Sequence, residues 1–297
     1  MAGFRARDNG PNSAASALFF DLDNTLIETR KGDSLACRKL AEELTKEYGL
    51  PQDCSNKIVS SYLKQFRKCP DNVAFSLDTW RSSLWNKALG EKYCYLVKET
   101  YERWLSLRYY YLALRPDTVT MLHQLRKKYL LGLITNGPSN AQWEKIRKLH
   151  LQQYFDVILV SGDVPWEKPE ARIFEEACRY LQVNPENCIM VGDKLETDIL
   201  GGIEAGFAGT VWVPFGDNCL VTNGPKPNHI IKQVTDLVKV LSHGPDAHEY
   251  EDSSSNASDG IIGFFSIEAY LHKKLDSILL LMLEDLVVLY IKIQPGS

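Results

Sequence analysis

Ala17-Leu18-Phe19-Phe20-Asp21-Leu22-Asp23-Asn24-Thr25 is the stretch on which the fold turns. Four apolar residues in a row suit a strand buried on both faces. The run ends in two aspartates one residue apart. In open α/β sheets, ligands bind beyond the carboxyl ends of the strands, so these acids stand where chemistry is expected. Further strands are expected at Leu130–Thr135, Val157–Ser161, Cys188–Gly192 and Thr210–Val213. Helical patterns over Asp117–Lys128, Ser139–Leu149, Glu170–Leu181 and Thr197–Ala205 fall between and around them. Buried strands alternating with helices predict an α/β fold with a doubly wound parallel sheet.

The stretch 31–111 breaks this alternation. It reads as helix throughout, punctuated at Gly49-Leu50-Pro51 and Cys69-Pro70-Asp71, with Trp80, Trp85, Tyr93, Tyr101 and Trp104 available for inward faces. It is expected to be a helical insertion after the first strand, leaving 17–30 and 112–243 as the Rossmann-like core that carries the sheet. Residues 1–16 read as a loose leader and 244–297 as a linker and apolar tail. Asp276, Glu284, Asp285 and Lys292 interrupt the apolar stretch Leu275 to Ile293. As a membrane span it therefore comes out near break-even, and docking on the domain or an adventitious tail reads better.

The chain has 297 residues and a net charge of −4. Without a basic field, nucleic acid is not expected as a partner; a small phosphorylated substrate needs only a few local cations. The seven cysteines include no C-x-x-C pair, and their odd number argues against a disulfide framework. The apolar run near the N-terminus leads into Asp21 rather than a cleavage site, so a cytoplasmic protein is expected.

Four polar clusters each follow an expected strand: Asp21-Leu22-Asp23-Asn24-Thr25, Thr135-Asn136-Gly137, Lys168-Pro169, and Gly192-Asp193 with Asp198. Singly, each has an ordinary role as a helix cap, a turn or a solvated cation. Together at one end of one sheet they form a constellation. Carboxylates that converge repel one another unless a cation lies between them. Oxygen-only ligands without histidine favour magnesium over zinc.

These four clusters, in this order, resemble those of the haloacid dehalogenase superfamily of phosphohydrolases, over roughly residues 17–242. The resemblance implies a Rossmann-like core with a mobile helical cap. It implies Asp21 as nucleophile and Asp23 as general acid and base. Magnesium would be held by Asp21, the backbone carbonyl of Asp23, and Asp193, with Asp198 orienting the site from behind them. The phosphoryl group would be held by Thr135, Asn136, Lys168 and the backbone amides of Leu22 and Asn24. Asn24, where many relatives carry glycine, and Leu195-Glu196-Thr197-Asp198 bring the resemblance closest to a branch acting on a small phosphorylated sugar acid. Pro138 departs from the polar residue expected after Asn136-Gly137. A phosphomutase shares this core and stays open. A haloalkanoate dehalogenase would need neither Asp23 nor magnesium, and a catalytically silent scaffold would be expected to have lost one of the acids.

Overall fold

In the computed structural model, which describes residues 15–68, 76–216 and 224–242, six parallel strands form one sheet in the order β3-β2-β1-β4-β5-β6. They are β1 (Ala17–Phe20), β2 (Leu130–Thr135), β3 (Val157–Val160), β4 (Cys188–Gly192), β5 (Gly209–Trp212) and β6 (His229–Ile230). The chain divides into Met1–Ala247 and His248–Ser297. The second unit lies outside the described residues, as do the expected linker and tail and nearly all of the expected leader.

β1 sits mid-sheet because all four of its side chains are apolar and buried. Their period of two divides them between the faces. Leu18 and Phe20 join Leu131, Leu133, Val191 and Val211 under α5 (Pro116–Leu125) and α6 (Ser139–Lys148). Ala17 and Phe19 join Ile134, Cys188 and Met190 under α7 (Ala171–Leu181). Ile173, Phe174, Ala177, Cys178 and Leu181 give α7 the i, i+4 stripe that this face requires.

The expected strands stand within a residue of their observed bounds. The expected helix Thr197–Ala205 is instead a π-type turn, Leu195–Ile199, continued by α8 (Leu200–Glu204). β6 was not expected: two exposed residues are too short a run to signal a strand, and only pairing with β5 makes them one.

Between β1 and β2 lie the helices α1 (Thr29–Tyr48), α2 (Gln52–Phe66), α3 (Leu77–Tyr93) and α4 (Val97–Leu112). α1 ends in a left-handed Gly49 at φ 70°, with the Leu50 amide returning to Leu44 O, a glycine-terminated stop. α1 runs unbroken across residues 30 and 31, where the boundary between core and insertion was expected. The insertion has its own core. Tyr62 stacks on Trp85 at 3.7 Å, with Trp104 edge-on to both. The aromatics of this stretch thus mainly pack against one another, though Trp80 also lines a cavity.

Candidate active site

β1 delivers Asp21 to the sheet's carboxyl end, anchored by its amide on Val191 O at 2.9 Å. The chain then turns sharply through Asn24, which adopts φ 65°. Asparagine tolerates this left-handed conformation better than most side chains. The Asn24 side chain accepts from the Arg30 amide at 3.0 Å, tying the turn to the start of α1. The Asn24 amide donates to Ile27 O at 2.7 Å. The amide expected to help hold the phosphoryl group thus closes the turn in this structure. No carbonyl among the described residues accepts from the Leu22 amide.

Asp21 is buried, and Oδ1 accepts from Lys168 Nζ at 2.7 Å while Oδ2 accepts from Thr25 at 3.1 Å. The Lys168 ammonium also donates to Ile134 O and lies 2.7 Å from Asp198 Oδ1. Carboxylate oxygens of Asp21, Asp193 and Asp198 lie within 4.8 Å of one another. β4 brings the last two in. Gly192 is required there, since a Cβ on it would fall 2.3 Å from the Asp198 carboxyl carbon. The Lys194 amide fixes Asp198 Oδ2 at 3.0 Å.

This crowding shifts the acids. Burial pushes Asp21 up to about 7; Lys168 opposes it, while Asp198, Asp193 and Asp23 add to it. Burial and the Asp198 charge push Asp193 up to about 6, against Lys194, Lys168 and Arg30. Burial would lower the Lys168 ammonium, but Asp198 and Asp21 hold it well above its ordinary range. Three oxygen donors with surplus negative charge fit a hard divalent cation such as magnesium.

Asp23 is arranged differently. Its carboxylate lies outside that trio and is gripped by Lys145 Nζ at 2.6 Å from each oxygen, by Gln142 Nε2 at 3.0 Å, and by the Thr29 hydroxyl. Burial alone would raise its pKa, but Lys145 and these hydrogen bonds hold it well below the usual carboxylate range. Gln142 also donates to the Thr135 hydroxyl at 2.9 Å. Asn136 directs its side chain at the Lys168 backbone, donating to its carbonyl at 2.8 Å and accepting from its amide at 3.0 Å. These two bonds brace the Lys168 loop. Sequence reasoning missed Gln142 and Lys145. They project from inside α6 rather than from a strand end, and their one signal was the helical spacing that puts both on one face.

A cavity of about 390 Å³ opens beside Asp23, lined from the core by Asn136 and Lys145 and from the insertion by Arg67, Trp80, Arg81 and Arg108. Arg81 Nη1 reaches across to both oxygens of Glu144 on α6, at 2.9 and 2.8 Å. Tyr109 donates to the same carboxylate at 2.5 Å.

An aspartate at the tip of the central strand, backed by a buried lysine and two further acids, defines an α/β hydrolase site of one kind. Residues 15–206 match the family model of the haloacid dehalogenase-like hydrolases. The chain belongs to that family and is a phosphoric monoester hydrolase. It is 35% identical to the N-acylneuraminate-9-phosphatase of Rattus norvegicus over 234 residues, 77% of this chain and 94% of that one. It is 33% identical to the glyceraldehyde 3-phosphate phosphatase of Methanothermobacter thermautotrophicus over 195 residues, 65% and 83% of the two chains. Among solved structures, a HAD phosphatase from Thermococcus onnurineus is similar at TM-score 0.50 and 26% identity, covering 76% of this chain and 97% of that one.

Proposed function

We propose that this phosphatase hydrolyses N-acylneuraminate 9-phosphate to free N-acylneuraminate and phosphate, a step of sialic acid biosynthesis, through a phosphorylated Asp21. The observation that carries the chemistry is the buried trio Asp21, Asp193 and Asp198 held around Lys168. Similarity along 94% of the rat N-acylneuraminate-9-phosphatase supports the substrate. Among the described residues no helix is long and apolar enough to cross a membrane, in keeping with a cytoplasmic enzyme acting on a small metabolite.

In the first step an Asp21 oxygen attacks phosphorus in line and the P–O bond to the sugar breaks. Asp23 gives its proton to the departing alkoxide. In the second step Asp23 takes a proton from water, whose oxygen displaces phosphate from Asp21. Lys168, the Thr135 hydroxyl and the Leu22 amide face the phosphoryl oxygens, with Asn136 keeping the Lys168 loop in place. Asp21, Asp193 and the Asp23 carbonyl would hold magnesium, with Asp198 behind them; magnesium when bound neutralises phosphoryl and carboxylate charge together. In this structure Asp23 is held ionised by Lys145, the form that the second step uses. For the first step Lys145 must let go as the anionic substrate enters, so that Asp23 can carry a proton. The helical insertion reads the sugar and closes over it as a cap.

A panel of phosphate monoesters, assayed with magnesium and after exhaustive chelation, tests this reading. N-acetylneuraminate 9-phosphate should give the highest kcat/KM, and chelation should abolish turnover. Faster hydrolysis of glyceraldehyde 3-phosphate would overturn the sugar acid and leave the phosphatase. Undiminished turnover without metal would overturn the magnesium site.

A further inference from the structure

The cavity beside Asp23 carries more positive charge than one phosphoryl group explains. Arg30, Arg67, Arg81, Arg108, Lys145 and Lys194 all line it, against Asp23 and Asp33. Lys145 is matched by Asp23, and Arg81 by Glu144. Arg30 lies over the Phe215 ring at 5.2 Å, on the core side.

Arg108 and Arg67 are left with donors to spare. Arg108 is buried and gives Nε to Asp33 at 2.7 Å. Its Nη1 has only a long 3.5 Å contact with Tyr109, and its Nη2 has no hydrogen-bond partner among the described residues. The group is held in place by Phe66, Tyr109 and Trp104, whose ring centroids lie 5.1, 5.5 and 5.6 Å away. Arg67 follows Phe66 at the end of α2, and it lines the same cavity as Arg108. Arg67 meets the Ser34 hydroxyl at 3.2 Å and no carboxylate among the described residues.

We propose that Arg67 and Arg108 form a second anion subsite, on the insertion side of the cavity, that takes the carboxylate of the substrate while its phosphoryl group lies at Asp21. Guanidinium groups present planar forks that match a carboxylate, and a fixed fork loses little freedom on binding. The subsite deepens the sugar acid reading and rests on it. A substrate with an aldehyde or hydroxyl in place of the carboxylate leaves this surplus charge unanswered.

Full-length wild type, Arg67→Gln and Arg67→Lys are compared on N-acetylneuraminate 9-phosphate and on 4-nitrophenyl phosphate. Arg67 is exposed, so the variants should fold. Losing a charge-assisted hydrogen bond should lower kcat/KM for the sugar acid by ~10–100-fold, mostly through KM. That loss should exceed the loss on nitrophenyl phosphate by about tenfold, and Arg67→Lys should recover part of it. Equal losses on the two substrates, or no loss on the sugar acid, overturn the subsite.

A second measurement does not depend on turnover of the sugar phosphate. Free N-acetylneuraminate and its methyl ester compete against nitrophenyl phosphate. The acid should inhibit about tenfold more tightly than the ester, and Arg67→Gln should close the gap. Equal inhibition of wild type by acid and ester overturns the subsite even where the sugar acid phosphate is a good substrate. Tighter inhibition by the acid with no turnover of its 9-phosphate would sink the substrate reading and support the subsite.

Discussion

In the insertion, Arg108 has Asp33 at 2.7 Å, and Arg81 has Glu144 at 2.8 Å across the gap to α6. At the carboxyl end of the sheet, Asp21 and Asp198 divide a single ammonium between them, with Asp193 alongside. Both regions bury charge among aromatic or aliphatic side chains, and they differ in the count. Where each cation has its own acid, the pair fixes geometry. Where acids outnumber the cation, burial and mutual repulsion lift Asp21 to about 7 and Asp193 to about 6. These two pairs are balanced one to one; the acids at the end of the sheet are not, and a divalent cation would relieve their excess.

The largest effects should come from the unbalanced region. Asp21→Asn removes the proposed nucleophile, and kcat should fall by ~10⁴-fold or more with any monoester. Asp23→Asn should divide by leaving group. A sugar alkoxide needs a proton as its bond to phosphorus breaks, so phosphorylation should slow by ~10²–10⁴-fold. Nitrophenolate needs little help, so its first step should survive while the second stalls for want of a base. Rapid quench of Asp23→Asn should therefore show a burst of nitrophenol with phosphate covalently held on Asp21. A burst from Asp21→Asn instead would reverse the two roles.

The balanced region should respond in stability. Asp33→Asn leaves Arg108 buried without its acid, and breaking such a pair costs ~3–5 kcal/mol, read as a lower denaturant midpoint at unchanged slope. Asp193→Asn in magnesium-free protein should cost nothing or stabilise, because it removes one member of a repelling group. Similar losses from both substitutions would break the distinction drawn between the regions.

The sequence made the unbalanced region easier to read than the balanced one. The acids and Lys168 each follow a buried apolar run, so strand prediction and the rule for ligand sites in α/β sheets locate them together. The Asn136 side chain was legible as a residue of the site but not as a brace for the Lys168 backbone. That distinction depends on a loop that local propensity does not specify. Arg81 meets Glu144 across 63 residues, and Lys145 meets Asp23 across 122. Pairings at such separations are set by how the insertion and α6 pack, and no periodicity encodes them. The Arg67 and Arg108 wall was invisible for the same reason.

The smallest effect, and the one closest to the comparison, is the dependence of stability on pH without magnesium. An acid whose pKa is higher folded than unfolded keeps its proton in the folded state after the unfolded chain has lost it. Stability is then full below the unfolded value of about 4 and falls as pH rises through the folded value. For Asp193 and Asp21 the folded values are about 6 and about 7, so metal-free protein should lose stability between pH 5 and pH 8. The paired groups do not mask this. Asp23 and Lys168 are shifted outward, one down and one up, so both stay ionised across the window. The loss should appear as a melting temperature that falls steadily across this window. Asp193→Asn should flatten the slope, and saturating magnesium should flatten it further, because a cation bound to the folded state replaces the protons. Thermal melts of metal-free protein at half-unit steps of pH provide the check. A melting temperature that is level or rising from pH 5 to pH 8 would mean that the surplus charge is already compensated within the protein, and the contrast between the two regions would fail.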